Sequence, residues 1–334
     1  MAHTGNELTI GEIFSMTFNR RAFLQGSGAA LSGTALASGV PSMGFAQSPG
    51  RTMVMNDSKT WMIGDIRCTA LFDGIVQVDA AIFDTAEPEA FAMLMEQTHQ
   101  PQGKINLDVN AYLLEIGTQK LLIDTGTRDL YGPTLGRLPD QLAAIGVSAD
   151  HIDKVVLTHM HNDHTGGLTS ATGSAVFTNA ELIVPAAEWD FWTNEAIYAN
   201  ASDGFRFSFT GARAAAAAYA GKVRVFGARD EVLPGLSPIS LPGHSIGHTG
   251  YRLSAGSDQM VIWGDCVVSP QVQFDHPEWA STFDADAASS IASRRRIFDE
   301  TATDMILVAG MHLPFPGVGY LSRRGGRFRF DPAI

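Results

Sequence analysis

Cysteine is scarce in this chain: Cys68 and Cys266 are the only two among 334 residues. Two cannot build a disulfide framework. They form no C-x-x-C pair, which excludes a zinc knuckle and a dithiol redox site of that kind. Two free buried thiols are expected, with a single disulfide as the alternative. Basic charge is also short, with 23 Lys plus Arg against 35 Asp plus Glu and a formal net charge of -12. Phosphate-backbone binding needs a basic surface, so nucleic acid is not an expected partner. The one basic cluster, Arg294-Arg295-Arg296 in SSIASRRRIFDE, reads as the solvated face of a helix. No Gly-rich phosphate loop occurs, and no Ser-His-Asp or Cys-His pattern competes for nucleophilic chemistry.

What is present begins with a leader. FNRRAFLQGSGAALSGTALASGVPSMGFA at 18–46 places Arg20-Arg21 before Phe23-Leu24, then an uncharged small-residue stretch. It is similar to a twin-arginine export signal, the alternative being a disordered tail. Its apolar part is broken by Gly and Ser, which makes it a poor membrane span, since a span takes about 20 strongly apolar residues. Cleavage is expected after Ala46. Residues 47–334 then form the mature domain, a periplasmic or secreted protein with the export machinery as a partner.

The whole chain is 17% charged and 45% apolar, enough for a sizeable core. Short apolar runs punctuated by Gly and Pro predict a strand over 61–74 and a hairpin of AYLLEI and KLLID around Gly117. Helical spacing at Leu138, Leu142 and Ile145 stops at Gly146. KVVLTH and ELIVP read as strands, and an Ala-rich helix ends at Gly221. VRVFG, SPISLPG, TGYRLSA and QMVIWGD follow as strands, then a helix over DAASSIASRRRIFDETATD and MILVAG as a last buried strand. The aromatic stretch 193–210 has no clean period and reads as a mobile cover loop. One layered α/β domain with mixed sheets accounts for this order.

The chemistry concentrates in VVLTHMHNDHTGGL. His159, His161, Asp163 and His164 crowd the exit of an apolar strand. Imidazole and carboxylate suit zinc and its transition-series neighbours. Four ligands this close converge poorly on one tetrahedral ion and divide more easily between two. His244 in LPGHSIGH, Asp265 in VIWGDCV and His312 in ILVAGMHLPFPG each follow an apolar run, where layered α/β folds build sites. His3, His99, His151 and His276 lack such context and read as structural or surface residues.

H-x-H-x-D-H, a distant His in a Gly-rich turn, Gly-Asp, a final His, and LLIDTG at 121–126 together resemble the metallo-β-lactamase superfamily over about 60–334. The resemblance implies a four-layer αββα sandwich with two divalent metal ions, zinc, in a cleft. It implies that His159, His161 and His244 hold one ion, that Asp163, His164 and His312 hold the other, and that Asp265 bridges them. A hydroxide shared by the ions would be the nucleophile, since zinc lowers the pKa of bound water to about 7. Asp163 and Asp265 then carry the catalytic roles. His248 reads as a support or packing residue, and Asp124 as either an orienter of a ligand imidazole or a turn cap. Members of the family often dimerise, so a homodimer is an expectation from the resemblance alone.

LYGPTLGRLPDQLAAIGV, EWDFW, SPQVQFDHPEW and MHLPFPGVGY resemble the methyl parathion hydrolase group, secreted dizinc enzymes acting on aryl phosphotriesters, aryl esters and lactones. That resemblance places Tyr131, Trp192 and Phe205 or Phe207 in the substrate pocket, with Tyr131 replacing a phenylalanine. Rings there would grip a flat apolar leaving group, or alternatively pack the core. Acyl-homoserine-lactone lactonases are the nearest competitors. Many carry a tyrosine three residues after the bridging Asp, where this chain has Val268. The second-site pattern differs from that of the true β-lactamases. A di-iron redox protein and a non-catalytic metal-binding module are the readings from other classes.

Overall fold

The structure, a computed structural model, describes residues 59–100, 103–227 and 230–333. The expected export leader and its cleavage point lie outside the described residues.

One sheet holds β1 (Lys59–Ile63), β2 (Ile66–Asp79), β3 (Lys104–Ile116), β4 (Gln119–Ile123), β5 (Lys154–Val156), β6 (Glu181–Pro185) and β7 (Val223–Phe226), side by side in chain order. β1 through β4 are antiparallel neighbours, whereas β4 through β7 run parallel. Antiparallel neighbours can be joined tightly, as at the Gly117-Thr118 turn between the paired Ile116 and Gln119. Between β2 and β3 the chain also makes a short helix, α1 (Pro88–Gln97). Parallel neighbours need crossovers. Here α2 (Leu138–Ala144) precedes β5 and α3 (Asn162–Thr165) precedes β6. α4 (Ala186–Trp192), α5 (Glu195–Asn200), α6 (Asp203–Arg206) and α7 (Thr210–Ala218) precede β7.

The second sheet contains β8 (Leu236–Ser240), β9 (Thr249–Ala255), β10 (Asp258–Ile262), β11 (Leu307–Ala309), β12 (Val318–Arg324) and β13 (Arg327–Pro332), in the order β13-β12-β11-β10-β9-β8. Its one parallel pair, β10 with β11, is crossed by α8 (Pro270–Gln273) and α9 (Ala287–Thr303).

Alternation along the strands sorts the layers. Leu121 and Ile123 of β4 face the second sheet, packed with Val156, Tyr251, Met260 and Leu307. Leu122 between them faces Leu138, Leu142 and Ala212 of the helices. On the far side, Val261 and Val308 pack on Ile297 and Phe298 of α9. The result is helix, sheet, sheet, helix: the αββα sandwich. Each such side chain contributes about 1.5–3 kcal/mol on burial, so a one-residue register slip that exchanges the faces is strongly disfavoured.

Four local expectations are corrected. The stretch 61–74 is two strands rather than one, broken by a turn at Gly64-Asp65 where Gly64 takes φ +57°. Residues 193–210 fold into short helices rather than a loop. Asn194 caps α5 by accepting the Ala196 and Ile197 amides, and Ser202 caps α6. β11 is followed by the β12–β13 hairpin across Gly325-Gly326. Finally, Arg294 is completely buried, so the basic run is not a wholly solvated face. Cys68 and Cys266 are both free and buried, and burial pushes both thiols up to about 12.

Candidate metal centre

The candidate ligands gather where the strands end. His159 to His164 follow β5, His244 lies in the β8–β9 turn, Asp265 follows β10 and His312 follows β11. Backbone chemistry makes these turns specific. Gly264, before Asp265, has φ +58°, and a Cβ there would lie 2.5 Å from His248 Nε2. A β-bulge at Phe72/Gly74 frees Asp73 from the ladder. Its buried carboxylate accepts the amides of Thr127, Gly136 and Leu138 and so fastens the loop that carries Tyr131.

Two clusters result, one of His159, His161 and His244 and one of Asp163, His164, Asp265 and His312, with ligand atoms in each within 4.8 Å of one another. His161 Nδ1 lies 3.0 Å from His159 Nε2 and 3.1 Å from His244 Nε2. Asp265 Oδ2 stands between the clusters, 3.4 Å from His244 Nε2 and 3.7 Å from His159 Nε2 on one side. On the other it is 3.2 Å from His164 Nε2 and 3.0 Å from His312 Nε2. Asp163 Oδ2 closes the second cluster at 3.3 Å from His312 Nε2 and 3.5 Å from His164 Nε2.

Hydrogen bonds at the outward ring nitrogens aim the other nitrogens inward. His164 Nδ1 donates to Asp124 Oδ2 at 2.8 Å, and His312 Nδ1 donates to the Asp108 carbonyl at 2.8 Å. His244 Nδ1 donates to Asp284 Oδ1 at 3.1 Å. The Thr158 hydroxyl gives its proton to Asp124 Oδ2 at 2.7 Å, so it accepts from His159 Nδ1 at 3.0 Å. Neutral rings held this way present lone pairs inward, the state a metal ligand requires.

The electrostatics divide the two clusters: the first favours neutral rings, whereas the carboxylates of the second draw His164 and His312 toward a protonated form that a bound cation would displace. Burial first, then positive neighbours, hold His159 well below its ordinary pKa and bring His161 down to about 3. Burial opposes charge on His312, yet Asp265 and Asp163 raise it to about 10. His164 is likewise raised against burial by Asp265, Asp163 and Asp124. Burial also opposes ionisation of Asp163 and Asp265, but the facing histidines hold both below the usual carboxylate range. Asp265 Oδ1 is buried with no hydrogen-bond partner, a costly condition that a cation would relieve. The nitrogen and oxygen donors suit zinc-like divalent ions.

Asp124 reaches both clusters, His164 directly and His159 through Thr158. It adopts φ +57°, a conformation that aspartate tolerates better than most residues. His248 donates from Nδ1 to the Leu241 carbonyl and accepts the Asp265 amide at Nε2, 2.9 Å away. It therefore fixes the backbone of Asp265 and lies outside both clusters. Sequence reasoning missed Asp284 and Arg294. The Arg294 guanidinium binds the carbonyls of Cys266, Pro277 and Trp279 and pairs with Asp284. These contacts join residues far apart in the chain, and spacing carried no signal for them.

The aromatic residues divide. Tyr131 meets Phe207 edge-on with ring centroids 5.8 Å apart. Tyr131 is 38% exposed overall, while its hydroxyl end is turned toward the Asn162 and Asp163 side chains. Shielding at that end, then the Asp163 carboxylate, push its pKa up. Phe205 and Phe207 are half-buried. Trp192 is only 2% exposed, packed on Phe209 and edge-on to His161 at 5.4 Å. Asn162 ties this wall to the histidine loop by donating to the Phe207 carbonyl and accepting the Gly211 amide.

Two His/Asp groups able to hold metal thus lie at the strand exits of an αββα sandwich. The sequence profile of the metallo-beta-lactamase superfamily matches residues 106–310, and the chain belongs to that superfamily. The crystal structure of hydrolase AbOPH, in beta lactamase superfamily, is 29% identical with a TM-score of 0.78, covering 83% of this chain and 97% of that one. AidC, a dizinc quorum-quenching lactonase, shares the fold at 23% identity and a TM-score of 0.76, over 84% of this chain and 98% of its own. The Beta-lactamase-like protein 2 homolog of Caenorhabditis elegans is 25% identical over 171 residues, 51% of this chain and 48% of the relative. The chain thus spans about half the length of that curated relative.

Proposed function

We propose that the protein is a two-metal hydrolase of neutral, apolar substrates: aryl esters, lactones or aryl phosphotriesters. The observation that carries this reading is the position of Asp265 Oδ2 between two clusters of inward lone pairs. His159, His161 and His244 would hold one ion, Asp163, His164 and His312 the other, and Asp265 both, with zinc the proposed metal. When bound, the pair supplies an acidified water as nucleophile and a Lewis acid for the carbonyl or phosphoryl oxygen.

The rest falls to the chain. Asp163 is partly exposed, its side chain at 18%, as is His161, and it is placed to accept a hydrogen bond from the attacking water. Asp124, through Thr158 and His164, fixes rings in both clusters. Tyr131 and Phe207 offer faces for an aryl group and exclude water beside Asp163. The stretches that resemble the methyl parathion hydrolase group support this substrate class, and the similarity to hydrolase AbOPH supports hydrolysis.

Acyl-homoserine-lactone hydrolysis is the second reading, supported by the fold shared with AidC. Val268 weighs against it. It is buried at 1% among Ile105, Leu107 and Trp279 and offers no hydroxyl to the centre. The test is turnover of dihydrocoumarin, methyl paraoxon and an acyl-homoserine lactone by zinc-loaded protein, with metal quantified on the same sample. Hydrolysis of either of the first two, lost with chelator, is expected. Fully loaded protein inert on both contradicts the substrate class.

A further inference from the structure

We propose that Glu188 is a positioning residue that locks the first histidine cluster and Trp192 into one frame; this rests on the two-metal reading above. Glu188 lies in the first turn of α4 and is completely buried. Among the described residues no basic side chain pairs with it. Its carboxylate is instead filled by hydrogen bonds. Oε1 accepts the Ser245 hydroxyl at 2.6 Å and the Gly247 amide at 2.7 Å. Oε2 accepts the Met160 amide at 3.0 Å and the Trp192 indole N–H at 2.8 Å.

The identity of these partners matters. Met160 stands between His159 and His161, and Ser245 directly follows His244. One carboxylate therefore joins the loop bearing two ligands of the first cluster to the turn bearing the third. Its fourth bond holds the indole whose ring edge meets His161. None of the bonds reaches His164, Asp265 or His312. Every partner donates, so only a group with acceptors alone satisfies all of them. A glutamine would turn an NH₂ against two of these donors. The frame is also tight. A Cβ on Gly247 would lie 2.7 Å from the Glu188 amide nitrogen, so the turn approaches α4 at backbone distance.

A residue that only stabilises the fold would weaken both clusters alike. Glu188 as described acts on one. The experiment measures zinc retained after dialysis against graded chelator in two backgrounds of the full chain. His312→Ala breaks the second cluster and His244→Ala breaks the first. Glu188→Gln is expected to lower zinc affinity about 10–100-fold in the His312→Ala background, the range for residues that orient metal ligands. It is expected to change nothing in the His244→Ala background. Ser245→Ala, which removes a single bond, is expected to repeat the pattern at about tenfold and remains informative if Glu188→Gln does not fold. Equal losses in both backgrounds, or no loss in either, overturn the proposal. Failure of the unsubstituted protein to retain two zinc ions overturns the two-metal reading itself, and the proposal with it.

Discussion

Arg294 lies 3.5 Å from Asp284, and the other oxygen of Asp284 accepts His244 Nδ1–H at 3.1 Å. Both Arg294 and Asp284 are fully buried side chains. The arginine thus neutralises a carboxylate whose task is to orient a histidine. Breaking a buried pair leaves an uncompensated charge. Arg294→Met should cost about 3–5 kcal/mol in urea unfolding of zinc-free protein. A loss under about 1 kcal/mol would contradict the pairing.

Asp124 serves His164 and, through Thr158, His159. Asn tolerates the left-handed backbone equally but cannot accept at both oxygens. Asp124→Asn should weaken zinc binding about 10–100-fold. The loss should appear at both clusters, unlike the selective loss expected at Glu188. Chelator dialysis with zinc quantification reads the difference, and unchanged affinity would reduce Asp124 to a turn former.

His248 accepts the Asp265 amide only while Nε2 is bare. Burial first, then the nearby His244 ring, lowers its pKa to about 4. The unfolded chain takes up its proton near pH ~6.5. The folded state resists, so this contribution is intact above about pH 6.5 and is lost as pH falls toward 4. The urea midpoint of His248→Gln should therefore vary less with pH across that window than the native midpoint. Parallel curves would contradict this account.

From sequence, Trp192 is expected either to line the pocket or to pack the core. Its burial and its bond to Glu188 add a core role. Trp192→Ala should cost about 3–5 kcal/mol of stability as well as altering substrate preference. Thermal unfolding and a substrate panel measure the two effects, and a variant as stable as the native protein would show the ring to be dispensable packing.

The residues of the two His/Asp groups stood out in the sequence because they gather just past apolar runs, which burial alone would not select. The sheets were legible for the same reason: Leu121, Leu122 and Ile123 form a continuous apolar word because β4 is covered on both faces. Helices α5 and α6, of six and four residues, are too short to show a period. β13 alternates Arg and Phe with little full burial, a weak pattern beside the Gly-Gly turn that announces it. Glu188 and Arg294 were unreadable because a charged residue on a helix ordinarily faces water, and Asp284 because it lies in the loop before α9, where nothing in the spacing points to His244. Only the fold brings Ser245 to Glu188, 57 positions away.

The most direct test of the central claim is activity against zinc content on metal-depleted full-length protein. With Asp265 Oδ2 shared by both clusters, turnover of dihydrocoumarin or methyl paraoxon should rise to its plateau at two zinc ions per chain, and Asp265→Ala should abolish it on every substrate. Full activity at one zinc per chain, or activity that survives Asp265→Ala, would contradict the two-metal account.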